Sequence, residues 1–125
     1  MPVQGSALSR RDVLILSPDP LAAALLGAAS EVVDDQPHFP ESSEAARDAL
    51  RRVRPAMVLV DCAHEEACTD EFVGLALMTG ARVLLIDAKQ HGERAASVAR
   101  RLGLEVVRLP DDNELLLGRL RDDAS

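Results

Sequence analysis

Short, wholly apolar runs punctuate the chain at Val13 to Leu16, Met57 to Val60 and Val83 to Ile86. Runs of this length with no polar alternation suit strands of a parallel sheet buried on both faces. The intervals between them follow a helical period instead. Leu21, Leu25, Ala28 and Val32 recur at helical spacing, predicting a first helix from Pro20 to about Ser30 or a little beyond, with Asp19 as its cap and Pro20 at its first position. Ala45, Ala46, Ala49, Leu50 and Val53 form the apolar face of a second helix and Arg47, Arg51, Arg52 and Arg54 its wet face; Ser42 or Ser43 can cap it and Pro55 stops it. After a loop from Glu65, Phe72, Leu75, Ala76 and Thr79 make the stripe of a third helix, with Gly80 as its C-cap. A fourth helix is predicted from Gly92 or Glu93 to Leu102, closed by Gly103. Pro110 and Asp111 or Asp112 start a fifth, whose Leu115, Leu116, Leu117 and Leu120 face inward. Two further strands complete the pattern. One lies near Val32 to Phe39, at a sheet edge because Pro37 and Pro40 would each cost a ladder bond in a central strand; the other covers Glu105 to Leu109.

Five strands alternating with five helices through short connections predict an α/β fold, a doubly wound parallel sheet with helices on both faces. A chain of 125 residues is one domain by the usual size range. Residues 12–122 are expected to form it, with 1–11 a flexible N-terminal tail and 123–125 a C-terminal one. With no Trp or Tyr and only two Phe, the core must be aliphatic and platforms for stacking bases are missing. A net charge of −7 further argues against direct nucleic-acid binding, which requires a basic face. The two cysteines, Cys62 and Cys68, with no signal peptide, point to a reducing compartment, and the apolar runs are too short to cross a bilayer. The expected location is cytoplasmic.

The strand-end residues carry the chemical information. RPAMVLVD, Arg54 to Asp61, ends an apolar run on a carboxylate, at the end of the sheet where open parallel sheets place their binding crevices. Together with VLILSPDP in the first unit and RLPDDNELL in the last, it resembles the receiver domain of two-component response regulators. The resemblance covers almost the whole chain. It implies a flavodoxin-like (βα)5 three-layer sandwich with strand order 2-1-3-4-5, and it makes Asp61 the phosphoacceptor position.

In the family, a carboxylate pair after the first strand holds Mg²⁺, while a hydroxyl after the fourth and a lysine after the fifth hold the phosphoryl oxygens. Here those places fall on Ser17 and Pro18, on Asp87, and on Leu109, which is followed by the matching Pro110. Phosphoryl transfer relies on cations that neutralise the equatorial oxygens. A pocket that exchanges a cation for Leu109 and a hydroxyl for the anion Asp87 would repel such a group. Asp19, one place beyond the pair, could join Asp61 and Asp87 in an oxygen-rich metal site, against its simpler role as a helix cap. The expectation is therefore no cofactor, Mg²⁺ included, and no enzymatic activity.

Other signals carry less. Cys62, His64 and Cys68 lack a second ligand pair at zinc spacing. Ser17, His64 and Asp87 have no nucleophile elbow, and the Ser17-Pro18-Asp19-Pro20 turn has no glycine to cradle a phosphate. In the family, the fourth helix, fifth strand and fifth helix form the pairing surface. Here that surface would carry Arg100, Arg101 and Arg108 against Asp111, Asp112 and Glu114, a mixture of signs suited to self-association. The expected function is a degenerate receiver, a phosphorylation-independent protein-interaction module in bacterial signalling or transcriptional regulation. No effector follows the fifth helix, so the module is expected to be stand-alone or excised. The alternatives are a working receiver phosphorylated on Asp61 by a histidine kinase, and a small-molecule sensor using Ser17, Asp61 and Asp87.

Overall fold

The apolar runs become the interior strands of a single sheet. The computed structural model describes residues 10–88, 92–109 and 111–124. Along them run β1 (Asp12–Leu16), α1 (Pro20–Val32), β2 (Gln36–His38), α2 (Ala46–Val53), β3 (Met57–Asp61), α3 (Asp70–Met78), β4 (Arg82–Asp87), α4 (Gly92–Leu102), β5 (Val106–Arg108) and α5 (Asn113–Ala124). All strand pairs are parallel and the order is β2-β1-β3-β4-β5. This is the doubly wound, flavodoxin-like arrangement, with the Pro37 strand at an edge as its missing ladder donor requires.

Strand alternation divides the core into two layers. Leu14, Leu16, Val58, Val60, Val83 and Leu85 point to α2, α3 and α4, where they meet Leu50, Phe72, Val73 and Val98. Val13, Ile15, Met57, Leu59, Leu84 and Ile86 point to α1 and α5, where they meet Leu26, Leu116 and Leu120.

Three local expectations need correction. First, α1 turns the other way: Leu21 is 79% exposed and Val32 64%, with Leu25 and Ala28 also at the surface, while Ala22, Leu26, Gly27 and Ser30 are buried. The helix is apolar on most sides, and the side with small residues lets its backbone approach the sheet. Second, neither Ser42 nor Ser43 caps α2. Glu41 to Glu44 closes a turn, with the Glu44 amide donating to the Glu41 carbonyl, and Ser43 has a left-handed φ of 67°. The N-cap is Ala45, which has no side-chain acceptor. Glu66, from the loop after β3, accepts the Ala46 amide instead at 3.0 Å. Third, Thr79 is exposed and serves as C-cap of α3, with Gly80 following at φ 92°.

The tails also differ from expectation where they are described. Arg11 is held by Asp35 at 2.6 Å and donates to the Leu120 carbonyl, and Arg10 donates to the Asp35 carbonyl. Residues 123 and 124 continue α5. Cys62 and Cys68 are joined as a disulfide across a Cα–Cα distance of 5.0 Å. Among the described residues no helix is long and apolar enough to cross a membrane.

Candidate functional site at the carboxyl ends of the strands

β1 and β3 run side by side, with Leu16 opposite Val60, so the residues that follow meet at the sheet's rim. Ser17 leaves β1 and Asp61 ends β3. The Ser17 hydroxyl donates to Asp61 Oδ2 at 2.7 Å, and the Ala63 amide donates to Oδ1 at 3.0 Å. The Asp61 carbonyl accepts the His64 amide at 2.8 Å, closing a tight turn after the strand. Asp61 is 1% exposed. Each carboxylate oxygen thus has a neutral donor, which is what makes a buried charge tolerable there. The Asp19 amide in turn donates to Ser17 Oγ at 3.2 Å, fixing the hydroxyl's orientation.

Asp87 lies in a different setting. The β3 positions Met57 and Leu59 face the α1 and α5 layer, so Asp61 continues that side; Val83 and Leu85 face the other layer, so Asp87 continues theirs. In the register of β4 and β5, Asp87 stands opposite Arg108, whose Nε comes within 3.8 Å of Asp87 Oδ2. The expectation of a single anionic pocket is therefore corrected. Two carboxylates at neighbouring strand ends point to opposite faces, and one of them has a cation beside it. Sequence reading placed Arg108 only on a pairing surface; the register of β5 against β4 is the signal that would have found it.

The remaining predicted residues fall as follows. Asp19 caps α1, its Oδ1 accepting the Leu21 amide at 3.2 Å. Pro18 is exposed and Leu109 is buried in the layer with Leu116 and Leu120. Pro110 lies outside the described residues. Among the described residues no three His, Cys, Asp or Glu side chains are grouped to hold a metal ion.

Over the ends of β1 and β3 opens a cleft of about 570 Å³, with Ser17, Phe39, Glu44, His64, Glu65 and Glu66 in its walls. Its charge is anionic. Glu44 is held there by Arg52, whose guanidinium hydrogen-bonds both carboxylate oxygens at 2.8 Å; this and the Glu41 amide hold the carboxyl down to about 2. His64 Nδ1 accepts the Ala67 amide at 3.2 Å.

No protein-family model and no curated protein matches the sequence. Solved structures do. The N-terminal signal receiver domain of a two-component response regulator from Bacteroides fragilis superposes with a TM-score of 0.72 at 20% identity, over 94% of this chain and 98% of that one. A signal receiver domain from Bermanella marisrubri gives 0.71 at 18%, over 94% and 100%. The fold is that of a response-regulator receiver domain. A chemotaxis protein of Vibrio cholerae shares it at 0.68 and 16% identity, over 91% and 98%.

A receiver fold implies a Mg²⁺ site at the strand ends, and the residues present do not fit one of that kind. The residues after β1 are Ser17 and Pro18, neither of them acidic, each Asp61 oxygen already accepts one hydrogen bond, from Ser17 or Ala63, and Asp19 Oδ1 accepts the Leu21 amide. Three of the residues expected on a pairing surface are engaged within the chain. Arg101 is drawn to Asp70 of α3 at 2.5 Å and to Ser97, Arg108 to Asp87, and Asp112 Oδ2 accepts the Arg108 amide at 2.9 Å. Arg100, Asp111 and Glu114 stay exposed.

Proposed function

We propose that this chain is a degenerate receiver that signals by binding a protein and not by accepting phosphate. One observation carries the reading: Asp61 is 1% exposed and both its oxygens are hydrogen-bonded, to the Ser17 hydroxyl and the Ala63 amide. An in-line attack on a phosphoryl donor needs an accessible carboxylate oxygen and cations around the transferred group. Among the described residues no cation pairs with Asp61, and the cleft above it is walled by glutamates. No catalytic role and no Mg²⁺ requirement belong to this proposal. The partner surface we favour is α4, β5 and α5, where Arg100, Asp111 and Glu114 have no intramolecular ion pair among the described residues; self-association through it is included. The proposed setting is bacterial cytoplasmic signalling, by likeness to the receivers above; the Cys62–Cys68 disulfide weighs against it, and thiol trapping in intact cells decides the point.

The test is incubation with acetyl phosphate, or with beryllofluoride, and Mg²⁺. Intact mass and amide shifts around Asp61 are expected to stay unchanged; phosphoryl mass on Asp61 would replace this reading with that of a working receiver. The cleft beside Ser17 supports a second reading, a small-molecule sensor, because its volume is in the range of ligand pockets. Thermal shift with a panel of cationic and neutral metabolites separates the two.

A further inference from the structure

At the opposite end of the sheet, residues of α2 and α3 line a cavity of about 360 Å³. Pro55, just before β3, and Thr79, just before β4, belong to its walls, so it lies where the strands begin, away from Asp61. Its floor is apolar, made by Leu50 and Leu75. Its rim is basic: Arg47, Arg51 and Arg54 all line it. They are exposed, and Arg51 makes only an open i,i+3 contact with Asp48 at 3.3 Å, of the kind worth little in water. Arg47 and Arg54 make no ion pair among the described residues. In a chain of net charge −7, a cavity ringed by three arginines is a local reversal of sign.

We propose that this cavity is a docking site for an acidic protein segment that inserts one aliphatic side chain between Leu50 and Leu75. The spacing of the arginines selects the occupant. Arg47 and Arg51 stand one turn, about 6 Å, apart along α2, and Arg54 follows as its C-cap with a left-handed φ of 50°, so the three charges are strung out past the end of the helix. That spread is more than a single carboxylate or phosphate spans, but it matches carboxylates spaced along a short peptide. Guanidinium groups pair with such carboxylates through two parallel hydrogen bonds. The apolar floor of Leu50 and Leu75 gives the anchor a place to bury. The proposal is independent of the state of Asp61.

The test uses the whole chain, isotopically labelled, titrated with a blocked peptide in which pairs of glutamates flank a single leucine. Amide shifts are expected along α2 and the second half of α3, with none around Ser17. Affinity is expected to fall about tenfold when salt rises from about 0.05 to about 0.3 M. A similar loss is expected with Arg47→Glu plus Arg51→Glu, and a several-fold loss when the peptide's leucine is replaced by serine. If that double variant loses its fold, the salt series and the serine peptide decide with the unaltered chain. No shift at millimolar peptide, shifts elsewhere, or equal binding by a folded double variant would overturn the proposal. So would decanoate filling the cavity while the peptide does not, since the site would then be one for a small amphiphile.

Discussion

Asp61 and Glu44 show how one residue type is settled by its nearest donors. Asp61 has a hydroxyl and an amide; removing the hydroxyl by Ser17→Ala leaves Oδ2 buried with its donor gone. The expected loss is about 1–3 kcal/mol in urea unfolding, with the fold retained. Glu44 has a guanidinium, and its carboxyl stays ionised down to about 2 against an ordinary 4.5. Because the folded value is depressed, the pair's contribution to stability is whole above pH 4.5 and is lost as pH falls through about 2. A carbon-detected titration should place Glu44 near 2, and Arg52→Gln should return it toward the ordinary value. Little of this was legible in the sequence. The run into Asp61 announces a strand-end acid, but Ser17 is separated from it by 44 positions and Glu66 from the α2 amide it caps by 20. Such partners are brought together by sheet order, which no local pattern displays.

At the scale of elements, α1 shows what periodicity leaves open. Its sequence offers two apolar stripes, and both satisfy a helical repeat. The larger side chains, Leu21, Leu25 and Val32, read as the core stripe, yet the sheet takes Ala22, Leu26 and Gly27. Gly27 shows the reason: a Cβ there would come within 2.9 Å of the Phe39 ring, so the helix is packed against β2's exit more closely than a leucine face allows. Leu21→Ser with Leu25→Ser is therefore expected to change stability by less than about 1 kcal/mol, and Leu26→Ala to cost about 2–5 kcal/mol, by chemical denaturation. By contrast the strands and their order were readable, since runs such as MVLV and VLLI tolerate no surface placement. The loop between β3 and α3 is fixed by a different device, the Cys62–Cys68 disulfide, which closes a span of six positions. Its reduction should lower stability by about 2 kcal/mol, seen as an earlier urea midpoint in the presence of a phosphine reductant.

Over the whole molecule, distant parts of the chain are tied by one buried pair. Arg11 reaches Asp35 after α1 and the Leu120 carbonyl in α5, joining the sheet's edge to the last helix. Asp35 is 2% exposed, so Asp35→Ala would strand a cation in a nearly dry site and is expected to cost about 3–5 kcal/mol, a large share of the roughly 5–15 kcal/mol that holds a domain of this size. Thermal unfolding monitored by circular dichroism checks it. The pairing also explains why the N-terminal segment looked loose in sequence: Arg10 and Arg11 have no apolar rhythm, and their hold is ionic. The site at the far rim has a consequence of another kind. Under the proposed function a strand-end acid that takes no phosphate keeps no record of a past stimulus, so the message lies in how many copies are present. Synthesis, turnover and competition for partners then become the control points that a kinase and a phosphatase provide elsewhere.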